Sequence, residues 1–424
     1  MRAGVLVLVL AACGGSPGPG DAGPDAPRPD APRPDAPPPD AGPPAPPPSE
    51  PGRHAVTIEE SRRIVPSEGL PAETPAQTSN NNLDVIRFGG RVYLAFRSGP
   101  YHFASPEVRI HVVSSEDEVT WRYEQTFARA TDLREPRFLE VSGALFLYLA
   151  ELGTNRLDFE PMETLVSARS SDGTWSALAP LEGFTNAILW RARTERGAAY
   201  ALAYFGGEMV YDFLSDPRIR VELFTTDDGL TFRHADPARP TLYVGGASET
   251  DFSVGDDGTV FGVMRQEAGD PTGMGSRVCH TTIDRLAEWS CHVDRRKFDS
   301  PLAFFHDGEH YLVARRNVTE DGFYDVVTEG DIAVRSIRNQ GLYINAPKRC
   351  ALWRWIPSED RVAFVLDLPS AGDTCFPGRI EGARPDEVVI YDYSSDPALG
   401  GLAWNDGQVG PTYIYRHVLR FTPR

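Results

Sequence analysis

Short runs of alternating apolar residues, a strand-turn-strand unit that recurs six times and a near absence of helical periodicity predict an all-β chain built as a six-bladed β-propeller. Ahead of it lies a proline-rich stretch with no apolar face, expected to be a disordered tether. The expected organisation is a signal peptide over residues 1–12, the tether over 13–53 and the propeller over 54–424.

The N-terminus opens with Arg2, an apolar run from Val5 to Leu10, and Leu10-Ala11-Ala12-Cys13. The run is too short to span a bilayer and ends in small residues, as a cleaved export signal does. Leu-Ala-Ala-Cys resembles the lipobox of bacterial lipoproteins, which implies cleavage before Cys13 and a lipid on its thiol. Gly14 is not the aspartate that retains such proteins in the inner membrane, so an outer-membrane or cell-surface place in the bacterial envelope is expected. Residues 14 to 52 hold 16 of the 37 prolines. As polyproline-like chain they would reach on the order of 100 Å.

Some 370 residues remain, enough for one large β domain. A net charge of -18 argues against a nucleic-acid partner, and no later apolar run is long enough to cross a membrane. Membrane contact is therefore expected through the lipid alone, with the chain a monomer. Setting Cys13 aside leaves Cys279, Cys291, Cys350 and Cys375, an even number in an exported chain. Cys279 and Cys291 flank a hairpin, which pairs them and leaves Cys350 with Cys375. No Cys-x-x-Cys spacing or helix-loop-helix calcium pattern appears, so no metal or other cofactor is expected.

The six units run from Asp84 through Gly89-Gly90 to Arg97, from Arg137 through Gly143 to Ala150, and from Ala187 to Phe205. They continue from Asp251 through Asp256-Asp257-Gly258 to Arg265, from Leu302 through Asp307-Gly308 to Arg315, and from Phe376 to Tyr393. Each is followed by further strand-like sequence, the length of a four-stranded blade. Residues 55 to 65 are expected to form a strand that helps close the ring.

A second signature lies between the later strands of the first three blades. Thr225-Thr226-Asp227-Asp228-Gly229-Leu230-Thr231-Phe232 fits the Asp-box pattern, and Ser115 to Trp121 and Ser170 to Trp175 are shortened copies. Thr282 to Trp289 is a fourth, decayed position. The chemistry is structural: the carboxylate accepts backbone N–H groups across a turn while the ring packs into the blade. On these motifs the chain resembles the sialidase superfamily of six-bladed propellers, although Asp-boxes also occur in propellers that are not enzymes.

In an antiparallel hairpin the start of the first strand and the end of the second share a rim, so these positions converge on one mouth of the central channel. They read Asn82, Asp84 and Arg97; Arg134, Glu135, Arg137 and Glu151; Trp190, Arg191 and Tyr204; Glu249, Asp251, Arg265 and Glu267; Asp299, Arg315 and Arg316; Asp373, Tyr391 and Tyr393. His102 overhangs them from the loop beyond Arg97. Guanidinium forks, carboxylates and rings in one mouth suit a glycan or glycoconjugate ligand.

The resemblance implies an arginine cluster for a substrate carboxylate, a tyrosine nucleophile assisted by glutamate, and an aspartate acid/base. Arg97, Arg265 and Arg315 fit the cluster, Tyr391 or Tyr393 the nucleophile, Glu249 or Glu267 its partner, and Asp84 the acid/base. His102, Arg134, Glu135, Arg137, Trp190, Asp251, Asp299 and Asp373 are the remaining candidates for substrate contact. The family's Arg-Ile-Pro motif is absent where blade one begins, at Asn82-Leu83-Asp84-Val85. A glycoside hydrolase with a substrate other than sialic acid is thus the first expectation. A non-catalytic propeller that binds carbohydrate or protein is the alternative, and a structural envelope component with a plugged channel is the third.

Overall fold

The computed structural model describes residues 43 to 211 and 218 to 424. The signal peptide, Cys13 and most of the expected tether lie outside the described residues.

Six antiparallel sheets are arranged around a channel, with the first strands of consecutive blades in contact. Blade 1 holds Ser79–Phe88, Arg91–Gly99, Arg109–Ser115 and Arg122–Phe127, and blade 2 holds Asp132–Val141, Ala144–Leu152, Pro161–Arg169 and Ala179–Thr185. Blade 3 holds Ala187–Glu195, Ala198–Phe205 and Ile219–Thr226, whose outer edge is covered by Phe232–His234 and then Thr241–Gly245. Blade 4 holds Ala247–Val254, Thr259–Gln266, Arg277–Thr282 and Ser290–Val293, and blade 5 holds Asp299–His306, Glu309–Asn317, Lys348–Ile356 and Arg361–Asp367. Blade 6 runs outward through Gly378–Glu381, Glu387–Ser394 and Tyr413–Pro423, and its outermost strand is the N-terminal His54–Val65. The expected closing strand is thus present: one sheet is built from both ends of the propeller's sequence, so the ring has no free seam.

Among the described residues two α-helices break the β pattern, α1 (Ile332–Ile344) and α2 (Trp404–Val409). Asp331 caps α1 by accepting from the Val334 N–H. At its far end the Lys348 amine donates to the carbonyls of Tyr343 and Ala346. Among the described residues no helix is long and apolar enough to cross a membrane.

The inter-blade layers are apolar and aromatic. Turns hold the outer strands: Asp228 accepts from the N–H groups of Leu230 and Thr231 at 2.8 and 2.6 Å, and Asp117 from Val119 and Thr120 at 2.8 and 2.7 Å. Those bonds favour the charged form and hold both carboxyls down at about 2. The adjoining rings pack as the turn chemistry requires, Phe232 against Tyr148 and Phe184, and Trp121 edge-on to Tyr391.

Both expected disulfides are present. Cys279–Cys291 links directly opposed strand partners in blade 4, and Cys350–Cys375 ties blade 5 to the lead-in of blade 6. The spacer expected to run to residue 53 is attached earlier than that. Glu50 donates its N–H to the Phe364 carbonyl at 2.9 Å, Ser49 donates to Val365, and Arg361 grips the Glu50 carboxylate through two nitrogens at 2.7 and 3.1 Å. The cause is the open edge of Arg361–Asp367, whose unpaired carbonyls take up any extended neighbour. His54, buried next along the chain, reaches Tyr311 and Glu309 of blade 5 at 3.1 and 3.2 Å.

Removing each disulfide by double alanine substitution tests this division of labour. The 25-residue separation of Cys350 and Cys375 implies a loss of about 3.5 kcal/mol, and the 12-residue separation of the other pair about 3 kcal/mol. Urea unfolding of the two variants reads this directly; a larger loss at Cys279–Cys291 would assign the main clamp to the blade rather than to the ring.

Candidate active site at the channel mouth

The inner strands are not regular at the mouth. Five of the six slip register there, between Asn81 and Leu83, Arg134 and Arg137, Leu189 and Arg191, Ala247 and Thr250, and Asp299 and Leu302. Asn82, Glu135 and Ser300 sit inside these bulges with φ of 34°, 55° and 51°. A bulge breaks the alternation of a strand and re-aims a side chain. Repetition around the ring puts Asn82, Glu135, Trp190 and Glu249 at bulged positions on the channel wall. Adjacent inner strands are then pinned by carboxylates: Asp84 accepts from the Phe138 N–H, Glu249 from Ser300 and Asp251 from Ala303, at 2.8, 2.7 and 2.9 Å.

Rings from opposite blades meet across the channel. Trp190 of blade 3 and Phe376 at the head of blade 6 lie 5.1 Å apart edge to face, with the Arg137 guanidinium 4.7 and 4.3 Å from their centroids. This plug separates the mouth from a rear cavity of about 290 Å³ lined in part by Asp84, Arg191, Arg193, Glu195 and Arg379. A second cavity, of about 460 Å³, lies between blades 4 and 5 and is lined in part by Pro47, Glu50, Arg295, Lys297 and Arg316.

Above the plug five of the six blades contribute charge. Arg97 and Arg134 share Asp132, and Arg97 spends its other donors on Asn81 and the carbonyls of Tyr101 and Phe103. Arg265 donates to Glu249 at 2.5 Å and lies 3.5 Å from Glu267, which also pairs with Lys297. Asp299 takes Arg315 at 3.1 Å and the Tyr343 hydroxyl at 2.5 Å. Asp373 accepts from Tyr393 at 2.9 Å and from the Trp404 indole at 3.1 Å, and meets His102 Nδ1 at 2.7 Å. The loop carrying His102 is bonded to α2 through the Gln408 carbonyl.

Of the residues expected at the mouth, Arg97, His102, Arg134, Glu135, Glu249, Arg265, Glu267, Asp299, Arg315, Asp373 and Tyr393 come together there. Asp84, Arg137, Trp190 and Asp251 lie deeper, in and below the plug; Asp251 is taken up by Arg191 and Arg193 at 3.4 and 3.2 Å. Tyr391 is outside the site: its hydroxyl donates to Glu118, which also pairs with Arg416. It sits two residues, and so one pleat, farther from the rim than Tyr393. Lys297, Tyr343, Gln340 and Trp404 belong to the site and went unnoticed in the sequence. The first signal available was compositional, since Lys297 and Lys348 are the only lysines and both pack against Tyr343, at 4.6 and 3.9 Å from its ring.

Protonation divides the carboxyls. Burial, then the charge of Glu249, pushes Glu135 up to about 7, and its Oε2 has no hydrogen-bond partner. Burial raises Glu249 as well, against the pull of Arg265. At Asp299 burial is overcome by Lys297, Arg315 and Arg265, which hold it below the usual carboxylate range, and His102 does the same for Asp373. Carboxyls driven apart in this way supply an acid and a base within one site. Tyr393 is the reverse of an activated nucleophile: burial and Asp373 push its hydroxyl well above its ordinary value.

Glu135 carries a measurable consequence. Its folded value lies above its unfolded one, so its contribution is fully present below about pH 4.5 and is lost as pH rises through 7. Glu135→Gln is therefore expected to match the parent at pH 4.5 and to exceed it by about 3 kcal/mol at pH 8 in denaturant unfolding. An equal difference at both pH values would show that Glu135 is ionised in the fold.

Three solved structures place the architecture. A protein of unknown function from Dyadobacter fermentans aligns with a TM-score of 0.58 at 15% identity, over 87% of this chain and 99% of that one. The endosialidase of phage phi92 aligns at 0.56 and 9% identity, over 88% and 70%. Trypanosoma rangeli sialidase in complex with sialic acid aligns at 0.52 and 13% identity, over 81% of this chain and 54% of that one, so the chain spans about half the length of that enzyme. No protein-family model and no curated protein sequence matches the chain. Identities this low carry the fold and not the activity: the chain is a six-bladed β-propeller of the architecture that sialidases use.

Proposed function

We propose that the chain is a surface-displayed, glycan-recognising propeller whose channel mouth hydrolyses a glycosidic bond, with Glu135 as the proton donor. The observation that carries this reading is the unpartnered Glu135 carboxyl raised to about 7 beside Glu249, which Arg265 grips at 2.5 Å. A carboxylic acid that keeps its proton near neutral pH protonates a leaving glycosidic oxygen, and a neighbouring carboxylate serves as nucleophile or activates water. The likeness of the fold to solved sialidases and an endosialidase supports a sugar substrate.

The substrate class is narrowed by the arginines. Arg97, Arg265 and Arg315 each donate to the chain's own groups. A substrate carboxylate would have to displace buried partners, at a cost of several kcal/mol. A neutral sugar that accepts from His102 or Arg134 and donates to Glu249 fits better than sialic acid. The turn at Thr225 to Phe232 is proposed as an Asp-box of this superfamily, and those at Ser115 to Trp121 and Ser170 to Trp175 as shortened copies.

A second reading, binding without turnover, is favoured by the same internal pairing, because a mouth whose charges are already matched offers few free groups for chemistry. A panel of fluorogenic glycosides separates the two. Turnover by the parent that falls by about 100-fold or more in Glu135→Gln supports hydrolysis; turnover unchanged in Glu135→Gln and in Glu249→Gln dismisses the assignment. Affinity on a glycan array with no turnover establishes the binding reading.

We further propose that Cys13 carries a lipid that anchors the chain, as a monomer, in the bacterial envelope, at the outer membrane or cell surface. The Leu-Ala-Ala-Cys sequence supports it. Cys13→Ser is expected to lose metabolically incorporated palmitate and to leave the membrane fraction; a variant that still sediments with membranes refutes the anchor.

A further inference from the structure

Glu135 supplies the mouth with an acid, and the surroundings of His102 supply what a base needs. His102 stands on the loop between the second and third strands of blade 1, with its side chain 17% exposed. Its Nδ1 lies 2.7 Å from one oxygen of Asp373, a fully buried side chain. The other oxygen of Asp373 accepts from the Tyr393 hydroxyl and the Trp404 indole, which fixes the carboxylate from both sides. Burial pushes the Asp373 carboxyl up, and His102, Arg315 and Tyr393 together hold it below the usual carboxylate range. An ionised carboxylate only accepts, so Nδ1 is the donor of that bond and the neutral ring carries its lone pair on Nε2. The Asn81 amide, 3.4 Å from the same Nδ1, donates to Ser79 at 2.9 Å. Among the described residues nothing bonds to Nε2.

The loop is held on both sides of the ring. The His102 N–H donates to the Gln408 carbonyl at 3.0 Å, and Arg97 donates to the carbonyls of Tyr101 and Phe103 at 3.2 and 2.9 Å. Arg134, the neighbour of Glu135 in the chain, reaches the His102 carbonyl at 3.5 Å, so the acid and the imidazole border one opening. Glu249 is the other candidate for a base, on blade 4 across the ring from blade 1. Both its oxygens already accept, Oε1 from Arg265 at 2.5 Å and Oε2 from the Ser300 N–H at 2.7 Å. A base needs a lone pair facing the reactant, and Nε2 of His102 has one.

We propose, on the hydrolytic reading of the mouth, that His102 oriented by Asp373 is the base that activates water for cleavage of the glycosidic bond. Nε2 takes a proton from water as the water oxygen bonds to the anomeric carbon. The bond from that carbon to the glycosidic oxygen breaks, and the oxygen leaves with the electron pair and takes the Glu135 proton. Asp373, a positioning residue, stabilises the imidazolium that forms, which then donates from Nε2 to the sugar until solvent carries the proton back to Glu135. Water entering opposite the departing oxygen inverts the anomeric centre.

The test uses the full chain and a glycoside that the parent turns over. His102→Gln keeps a donor for Asp373 but has no basic nitrogen; its kcat is expected to fall by about 100-fold or more, with KM within about threefold of the parent. His102→Ala is expected to lose as much and to be partly restored by free imidazole. Proton NMR of the first product is expected to show the inverted anomer. Parent-like kcat in His102→Gln overturns the base, as does a retained anomer. A loss that lies in KM and does not respond to imidazole overturns it too, and assigns His102 to binding. In these cases a parent whose turnover still falls in Glu135→Gln keeps the hydrolytic reading, whereas a parent that cleaves no glycoside refutes both.

Discussion

Opposite blades touch where Trp190 meets Phe376 across the channel with Arg137 held against both. A six-bladed ring leaves an opening along its axis that strands alone do not fill, and the inner-strand bulges spend side chains on filling it. Everything polar in the centre is arranged relative to that contact. Above it lie the paired charges of the mouth; below it lie Arg191, Arg193 and Asp251 and the rear cavity. Arg137 and Trp190 of the plug lie on inner strands and Phe376 lies on the segment that leads into blade 6, so the channel is divided by residues of three blades.

The mouth follows from closing such a ring. Five of the six blades bring carboxylates and guanidinium groups into a space from which water is largely removed, and each charge must find a partner there. Shared partners accomplish this: Asp132 serves two arginines, and Asp299 serves Arg315 and Tyr343 while lying near Lys297. Glu135 stands outside this matching, which is why it holds a proton. A group whose charge the fold does not support is the one free to trade that proton with a ligand.

Much of the architecture was legible because it rests on local rules. Gly89-Gly90, Gly143 and Asp307-Gly308 mark hairpin turns through backbone conformation alone, and strand alternation located both partners of each hairpin to within a few residues. Disulfide pairing followed from one hairpin and a remainder. Side-chain direction did not follow. Tyr391 and Tyr393 look alike in sequence, yet one pleat separates a residue bonded to Glu118 from one bonded to Asp373. The bulges that turn Glu135 and Glu249 inward leave no mark in composition, since a bulge is a property of two paired strands. Helix α1 was missed for a related reason: Gln340 and Tyr343 are buried polar residues that make its inner face read as surface. Its place over the site is fixed by contacts with Lys297 and Asp299 that are remote in sequence.

The way the N-terminal segment joins the ring also determines how the protein bears tension. A pull arriving from the N-terminal side first meets Ser49 and Glu50, bonded along the outer strand of blade 5, and then His54, lodged against Glu309 and Tyr311 of the same blade. Only beyond these does it reach His54–Val65, the outermost strand of blade 6. Load is thus divided between two adjacent blades before it acts on the ladder that closes the ring. A pull on the N-terminal segment would open a clip of two residues while the closing strand stayed zipped.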